Sequence, residues 1–166
     1  MDSLKLTEEE KRLFIDYMLE NEELEKIIER KDKQLPDYQL SVYGSIIWRC
    51  RNDAGFIVAL DSSEIPVGKI GFYTELTQEC QMKTAARKDG RKYVMAFTSK
   101  EKFKKYFDVS GVVLPIDDLI AIICLKKEEV DGIVINLGKK ELILEISALE
   151  DLLQWIGHFE FLNKQV

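Results

Sequence analysis

The 166 residues are 46% hydrophobic and 33% charged, a balance typical of one globular domain spanning residues 1–166 and not of a disordered chain. The net charge of −6 argues against a general affinity for nucleic acid, and three widely spaced cysteines, Cys50, Cys80 and Cys124, exclude a disulfide framework and a CxxC metal or redox pair. The longest apolar run has seven residues, whereas a membrane-spanning helix needs about 20, so we expect a cytoplasmic protein that does not insert into a membrane.

Residues 7–33 predict one long amphipathic helix, because they contain no proline or glycine and their apolar residues recur at helical spacing. Thr7 and Glu10 have the spacing of a capping box, in which each side chain satisfies a free backbone N–H group of the first turn. With the few residues before it, this helix accounts for residues 1–34. Because Glu20 interrupts the heptad pattern, we expect the apolar face to pack on its own domain, although homo-oligomerisation stays open.

The middle of the chain mixes helical and extended signals. Residues 38–51 combine β-branched and aromatic residues with a central glycine, and we favour a short helix over a strand. A buried strand is predicted at residues 56–60, and residues 62–76 are predicted to be a loop with a brief extended piece. The stretches 79–87 and 91–97 predict an antiparallel hairpin, because the Asp-Gly step between them tolerates the positive φ angles of a tight turn.

Residues 93–106, YVMAFTSKEKFKKY, predict a strand that passes directly into a helix. Thr98 and Glu101 have capping-box spacing, so we expect the Thr98 hydroxyl to cap a helix over residues 100–107. The elements predicted after this joint are a strand at 111–114, a helix opened by Asp117, strands at 132–136 and 141–146 joined by a turn at 137–140, and a last helix capped by Ser147 and Glu150. Hairpins mixed with helices in this way indicate an α+β domain whose helices pack on one face of a mainly antiparallel or mixed sheet.

The joint and three later stretches, VVLPIDDLIAII, DGIVINLG and LILEISALEDLL, resemble the N-terminal domain of the SseB family, which is named after an enhanced serine sensitivity protein. The resemblance covers residues 93–153, which we expect to form the family-like core. It implies an α+β fold and a small bacterial protein, cytoplasmic or associated with secretion, and it implies no catalytic residue. The chain departs from the family where Leu137 follows Asn136, since members often have a proline there, and it would lack the second domain of longer members.

Candidate catalytic groups are few. Thr98 and Ser99 need a base to act as nucleophiles, and the one histidine, His158, lies near the end of the last predicted helix. A lone histidine without neighbouring ligands does not predict a metal site, and no glycine-rich phosphate loop is present. We therefore expect no enzymatic activity, no cofactor and no bound metal.

The strongest functional signal is a basic segment at residues 83–105. It contains nine basic and two acidic residues, a net charge of +7, which leaves −13 on the rest of the chain. The nine basic residues are Lys83, Arg87, Lys88, Arg91, Lys92, Lys100, Lys102, Lys104 and Lys105. We interpret them as an ordinary solvated face, as a surface for an acidic protein or, least favoured, as a nucleic-acid site.

Among whole-protein functions, we favour a non-enzymatic protein-interaction module in regulation or secretion, with a protein partner that is unidentified. The alternative is a small-ligand-binding or enzymatic domain whose pocket is assembled from distant residues such as Arg87, Glu145 and Tyr73. A metabolite that stabilises the fold in a thermal-shift screen would separate the two hypotheses.

Overall fold

Three helices and five strands come first along the chain, and helices and strands are mixed after them. A computed structural model describes residues 6–30, 33–34, 36–61, 64–72, 81–106 and 109–164, with side chains in the last helix described as far as Gly157. The helices of these residues are α1 (Glu8–Met18), α2 (Glu22–Ile28), α3 (Pro36–Arg51), α4 (Lys100–Phe103), α5 (Ile116–Leu125) and α6 (Ile146–Lys164). The strands are β1 (Gly55–Asp61), β2 (Ile70–Phe72), β3 (Gln81–Met82), β4 (Thr84–Ala86), β5 (Lys92–Phe97), β6 (Ser110–Pro115), β7 (Gly132–Ile135) and β8 (Leu142–Glu145). None of the helices described here is long and apolar enough to cross a bilayer.

The strands form one mixed sheet. Six of them lie side by side in the order β2-β6-β1-β5-β7-β8, while β3 pairs with β1 and β4 pairs with β5. The pairs β2–β6 and β5–β7 are parallel, and the other pairs are antiparallel. At the centre, Ile57 of β1 lies opposite Phe97 of β5 on one side and opposite Val113 of β6 on the other. This architecture confirms the predicted α+β class with a mixed sheet.

A separate apolar core lies on each face of the sheet. Val94 and Ala96 of β5 belong to the first core, together with residues of α2, α3, α5 and α6. Tyr93, Met95 and Phe97 of the same strand belong to the second core, together with residues of α1 and α4. The helical layer predicted on one face is present, and α1 and α4 lie on the other face. Both faces need cover because five successive residues of β5 are apolar and buried.

The predicted N-terminal helix is present but is divided into two. Its start is as predicted, since Thr7 Oγ1 accepts a hydrogen bond from the Glu10 N–H at 3.1 Å and the Glu10 carboxylate accepts one from the Thr7 N–H at 3.2 Å. Helix α1 then ends, and α2 begins after a break at residues 19–21. The break is needed because α1 packs in the second core and α2 in the first, and one straight helix cannot cover both faces of a sheet. Residues 1–5 and 31–32 lie outside the described part of the chain.

The elements predicted in the middle of the chain are mostly confirmed. Helix α3 and strand β1 lie where a helix and a buried strand were expected. Strand β2 is the brief extended piece expected within residues 62–76, of which 62–63 and 73–76 lie outside the described residues. Strands β4 and β5 form the predicted antiparallel hairpin, with Gly90 of its turn at φ +88°. Residues 79–80, at the start of the first predicted hairpin stretch, are also outside the described residues.

Helix α5 begins one residue before its predicted opening residue. It starts at Ile116, so Asp117 lies in the first turn and does not open the helix. The first N–H group of the helix is satisfied by another part of the backbone, because the Ile116 N–H donates to the Ala54 carbonyl at 3.0 Å.

Helix α6 also begins earlier than predicted. It starts at Ile146, directly after strand β8, so Ser147 and Glu150 lie inside the helix and do not form the predicted capping box. The Ile146 N–H donates to the Asp131 carbonyl at 3.1 Å. A neighbouring carbonyl thus replaces a capping side chain at the start of both helices.

Candidate functional site

A buried polar cluster lies where strands β5 and β7 end. These strands are parallel neighbours, so the residues that follow them, Thr98 and Asn136, lie side by side at the carboxyl ends of the two strands. The Asn136 side chain accepts a hydrogen bond from the Thr98 N–H at 3.0 Å and donates one to the Thr98 hydroxyl at 2.9 Å. The Thr98 hydroxyl donates in turn to the Glu25 carboxylate of α2. Thr98 exposes no surface, and its hydroxyl is bonded both as donor and as acceptor.

The prediction that Thr98 caps helix α4 is wrong by one residue. Ser99 is the N-cap, since its backbone is extended and its Oγ accepts a hydrogen bond from the Lys102 N–H at 3.3 Å. The helix has a single turn, and Phe107 at the end of the longer predicted helix lies outside the described residues. The sequence offers two hydroxyls in succession, and the buried one bonds to the strand ends while the half-buried one caps the helix.

Asn136 turns the chain at the end of β7. Its φ of +57° is a left-handed backbone conformation that asparagine tolerates better than most residues. Its N–H still continues the sheet by donating to the Ala96 carbonyl at 2.9 Å. The carbonyl of the next residue, Leu137, accepts a hydrogen bond from the Tyr106 hydroxyl at 2.9 Å, which ties this turn to the segment after α4.

Asn21 connects the break between α1 and α2 to the same strand ends. Its side-chain amide donates to the carbonyls of Gly55 and Thr98, both at 3.0 Å, and its Oδ1 accepts a hydrogen bond from Arg49 Nε at 3.2 Å. Asn21 is 1% exposed, so these bonds are made away from water. The sequence did not reveal this role of Asn21, because the apolar residues keep helical spacing on both sides of it and no break was predicted there. We call the following residues the strand-end network: Asn21, Glu25, Arg49, Thr98 and Asn136.

A cleft of about 340 Å³ opens beside the strand-end network. Its walls come from the end of α2, from α4 and the residues after it, and from the turn after β7. Four lysines line this cleft, which we call the lysine cleft: Lys102, Lys105, Lys139 and Lys140. Glu29 is the one acidic side chain among the described residues of its walls.

Glu29 neutralises part of this charge. Its carboxylate lies 2.9 Å from Lys102 Nζ and 4.0 Å from Lys140 Nζ. The hydrogen bond from Lys102 lowers the pKa of Glu29, and the same bond raises the pKa of Lys102. Lys105 and Lys139 form no ion pair with a residue that the structure describes. The described walls of the cleft therefore contain four lysines and one carboxylate, which pairs with two of them.

The region that contains these residues also matches a known family. A family model described as the SseB protein N-terminal domain matches residues 49–151, more than half of the chain. The chain belongs to the SseB family. No curated protein and no solved structure matches the chain at a significant level. We expected the family-like core to begin at residue 93, and the matched region begins earlier, at residue 49. The additional residues include β1, the antiparallel neighbour of β5 at the centre of the sheet.

The SseB domain supplies only part of the site. Thr98, Asn136 and the four lysines of the cleft lie within the matched residues. Asn21, Glu25 and Glu29 come from the helices that precede the SseB domain. The N-terminal helices therefore complete the strand-end network and provide the one carboxylate of the lysine cleft.

The structure does not bring the nine basic residues of segment 83–105 together on one surface. Eight of the nine residues form two groups, one before or at the start of β5 and one after its end, and the strand separates them by about 20 Å, the length of six extended residues. Lys83 lies outside both groups, between β3 and β4, with its Nζ 3.9 Å from the Asp61 carboxylate. The hairpin group is Arg87, Lys88, Arg91 and Lys92, and the strand-end group is Lys100, Lys102, Lys104 and Lys105.

Carboxylates of the same chain neutralise the two arginines of the hairpin group. Arg87 forms an ion pair with Glu141, and Arg91 Nη1 lies 3.3 Å from the Glu145 carboxylate. The two lysines of this group are exposed. The hairpin group is thus a mixed-charge surface.

The strand-end group divides between two clefts. Lys102 and Lys105 line the lysine cleft, whereas Lys100 and Lys104 line a cleft of about 600 Å³ against α1. In that second cleft Lys100 Nζ lies 2.7 Å from the Asp16 carboxylate. Among the described residues, each cleft therefore has one lysine of the basic segment without an ion pair, Lys105 in the lysine cleft and Lys104 in the second cleft. The lysine cleft gains Lys139 and Lys140 from the turn after β7.

Sequence reasoning missed Lys139, Lys140 and Glu29 as members of this site. The two lysines follow β7 and the glutamate ends α2, so none of them belongs to the basic segment. Parallel pairing of β5 with β7 brings the lysines to Lys102, and this pairing has no local signal. Two lysines in a turn directly after a buried strand were the available hint.

The pocket expected from distant residues stays a prediction, because the structure describes only two of the three residues named for it. Arg87 pairs with Glu141, whereas Glu145 accepts a hydrogen bond from the Tyr93 hydroxyl at 2.7 Å. Burial, and then this bond, raise the pKa of Tyr93. Tyr73 lies outside the described residues.

The remaining candidates for chemistry are thiols and the histidine. Cys50 and Cys124 form no disulfide with any cysteine that the structure describes and are half-buried, and burial raises the pKa of Cys124. Cys80 and the side chain of His158 lie outside the part of the chain that the structure describes. Within the described part, no three His, Cys, Asp or Glu side chains are placed to hold a metal ion.

Proposed function

We propose that this chain is a non-enzymatic interaction module of the bacterial cytoplasm, acting in regulation or secretion, and that it binds an acidic segment of a partner protein in the lysine cleft. The observation that carries the proposal is the convergence of four lysines on one cleft whose described walls contain a single carboxylate. Membership of the SseB family supports the bacterial setting.

The type of charge favours a flexible acidic chain. Lysine ammonium groups are mobile point charges that accept carboxylates in many geometries, whereas bidentate recognition of one fixed anion usually employs arginine. Lys105 and Lys139 are exposed and are free to reach an incoming segment from two sides of the cleft. The chain outside residues 83–105 carries a net charge of −13, so it repels an acidic partner and steers it toward the basic segment, which contributes two lysines to this cleft.

The hydrogen bonds of the Thr98 hydroxyl support a binding role over a catalytic one. The Thr98 side chain is buried and holds Glu25 and Asn136, so its oxygen is occupied by structural hydrogen bonds. Asn136 itself lines the cleft. The hydrogen bonds of the strand-end network thus fix Asn136 in place at the wall of the cleft.

The test compares two double variants of equal charge change. Lys105→Glu with Lys139→Glu reverses the two unmatched charges of the cleft, and the control, Lys88→Glu with Lys92→Glu, reverses two exposed lysines of the hairpin group. The probe is a fluorescently labelled deca-glutamate peptide, measured by anisotropy at low salt. We expect the cleft variant to raise the Kd at least about tenfold and the control to raise it less than about threefold.

Two results would overturn the proposal. Equal losses in both variants would mean that the peptide responds to overall charge and not to the cleft. Tripolyphosphate that binds the wild type with saturation, where the peptide does not bind, would identify a small polyanion as the ligand instead of a protein.

A further inference from the structure

Helix α3 has apolar residues on its outer face as well as on its inner face. Tyr38, Val42 and Ile46 are buried in the first core. On the opposite side, Leu40 and Trp48 are 72% and 62% exposed. A helix on the surface of a monomer usually has a polar outer face, so α3 has the pattern of a helix that is covered on both sides.

An apolar groove of about 360 Å³ runs along this outer face. Its walls include Leu40, Tyr43, Ile47 and Trp48 of α3 and Trp155 of α6. Single exposed apolar side chains are common on monomers, whereas a contiguous patch that contains two tryptophans is typical of an interaction surface. The groove shares no residue with the lysine cleft, so both can be occupied at once.

Gly44 lies at the middle of this groove. Glycine disfavours a helix interior relative to alanine, because it has more conformational freedom to lose. A Cβ atom at position 44 would meet no atom of the chain within 4 Å, so packing within one copy does not require glycine. Close approach of another backbone from outside gives glycine a use at this position.

The exposed residues around Gly44 are arranged symmetrically. Leu40 and Trp48 lie four residues to either side of Gly44, and Asp37 and Arg51 lie seven residues to either side. Spacings of three and four residues place all five on one stripe of the helix. If two stripes meet in antiparallel orientation about a two-fold axis at Gly44, each Leu40 lies opposite Trp48 of the second copy and each Asp37 opposite Arg51 of the second copy.

We propose that the chain forms a homodimer through antiparallel contact of two α3 helices centred on Gly44, with Trp155 at the edge of the contact. Apolar and charge complementarity of the stripe with its own reversed copy identifies a second copy as the occupant. Trp48 and Trp155 are 62% and 52% exposed, so the four tryptophans of two copies can newly bury roughly 340–570 Å² of the roughly 1,000 Å² at which specific interfaces begin. Leu40, Tyr43 and Ile47 of both copies would supply further apolar area. We expect a weak dimer whose population depends on micromolar protein concentration.

The first test uses Gly44→Gln in the full chain, followed by sedimentation equilibrium over the micromolar range. The longer side chain keeps the helices apart, and we expect the Kd of the dimer to rise at least about tenfold. Glutamine is a better helix former than glycine, so the thermal midpoint at a concentration where both proteins are monomeric should not fall. The control is Leu125→Gln, which changes an 86% exposed leucine outside the groove and should leave the Kd unchanged.

The second test exchanges the charges at the ends of the stripe. Asp37→Arg and Arg51→Asp should each raise the Kd at least about fivefold, because like charges then face each other twice in the dimer. The double variant should return the Kd to within about threefold of the wild-type value. Asp37 also lies 3.8 Å from Arg30 of its own chain, and recovery in the double variant separates the contact across the dimer from that one, because exchanging residues 37 and 51 does not restore it. A double variant weaker than both single variants, or a wild type that is monomeric at every concentration, would show that α3 does not pair in this way.

Discussion

Thr98 links three parts of the chain that are distant in sequence. Its hydroxyl bonds to Glu25 of α2 and to Asn136 after β7, while its carbonyl accepts a hydrogen bond from Asn21. All of these groups are buried or half-buried, so water does not replace a lost partner easily. Ser99, one residue later, only caps a single helical turn. The two neighbouring hydroxyls therefore differ in what their removal leaves unsatisfied.

Thr98→Val tests this difference because it removes the hydroxyl without removing volume. We expect the free energy of unfolding to fall by about 1–3 kcal/mol, since the Asn136 amide and the Glu25 carboxylate each lose a buried partner. Ser99→Ala, the matched control, should cost about 1 kcal/mol, the usual value of an N-cap. Urea denaturation monitored by circular dichroism measures both values. If Thr98→Val is as stable as the wild type, the strand-end network does not stabilise the fold.

The Glu29–Lys102 pair predicts how stability changes with pH. Because the pKa of Glu29 is lowered below its ordinary value of 4.5, its contribution is fully present above that value and is lost as pH falls through the folded-state pKa. Because the pKa of Lys102 is raised above 10.5, its contribution is present below that value and is lost as pH rises through the folded-state pKa. The pair therefore stabilises the protein between these two limits.

Glu29→Gln should lower the free energy of unfolding at neutral pH by less than about 1 kcal/mol, because both partners are a quarter to a third exposed. The difference from wild type should shrink as pH falls below 4.5, because the Glu29 carboxylate is protonated first in the unfolded chain and only at lower pH in the folded protein. Denaturant titrations at a series of acidic pH values measure this difference. Glu22→Gln, at an exposed glutamate of the same helix, should show almost no effect at any pH. A difference that is the same at every pH would rule out the ion pair as its source.

At the scale of elements, the α1–α2 segment passes from one face of the sheet to the other beside the start of β1 and the end of β5. Helix α1 contacts the second core through Ile15 and Met18, and α2 contacts the first core through Leu24 and Ile28. Asn21 holds the turn between them by two buried hydrogen bonds and a third, to Arg49, that is partly buried. The position of both helices, and of Glu29 at the end of α2, therefore depends on one side chain.

Asn21→Ala should release this segment before the sheet unfolds. We expect a loss of about 2–4 kcal/mol, because two buried carbonyls and the Arg49 guanidinium lose their partner. Hydrogen exchange should accelerate in α1 and α2 more than in β5 and β7. Asn52→Ala is the matched control, since its amide makes one exposed bond to the Trp48 carbonyl. A uniform increase in exchange across the whole chain would contradict local release.

At the scale of the whole molecule, local patterns predicted the elements, and tertiary contacts decided how they begin and how they meet. The apolar run at residues 93–97 and the Asp-Gly turn before it were sufficient to predict β5 and its hairpin. Ser147 has the spacing of a cap and is not one, because the carbonyl of Asp131 already satisfies the first N–H of α6. The break at Asn21 and the parallel pairing that brings Lys139 to the cleft both depend on residues far away in sequence. The sequence therefore predicted Lys102 and Lys105 of the candidate site but not Lys139, Lys140 or Glu29.

The two cores should unfold as one unit, because every central strand contributes side chains to both. Phe103 belongs to the second core, where its ring packs edge-on against Phe97 with centroids 5.7 Å apart. Both tryptophans lie on the outer side of the helical layer of the opposite face, so at a concentration where the protein is monomeric their fluorescence reports on the unfolding of that layer. Phe103→Ala should lower the free energy of unfolding by about 3–5 kcal/mol, and the fluorescence transition should shift as far as the circular dichroism transition. Leu125→Ala, at an exposed leucine of α5, should shift neither. A fluorescence transition that stays at its wild-type position would mean that the two faces of the sheet unfold separately.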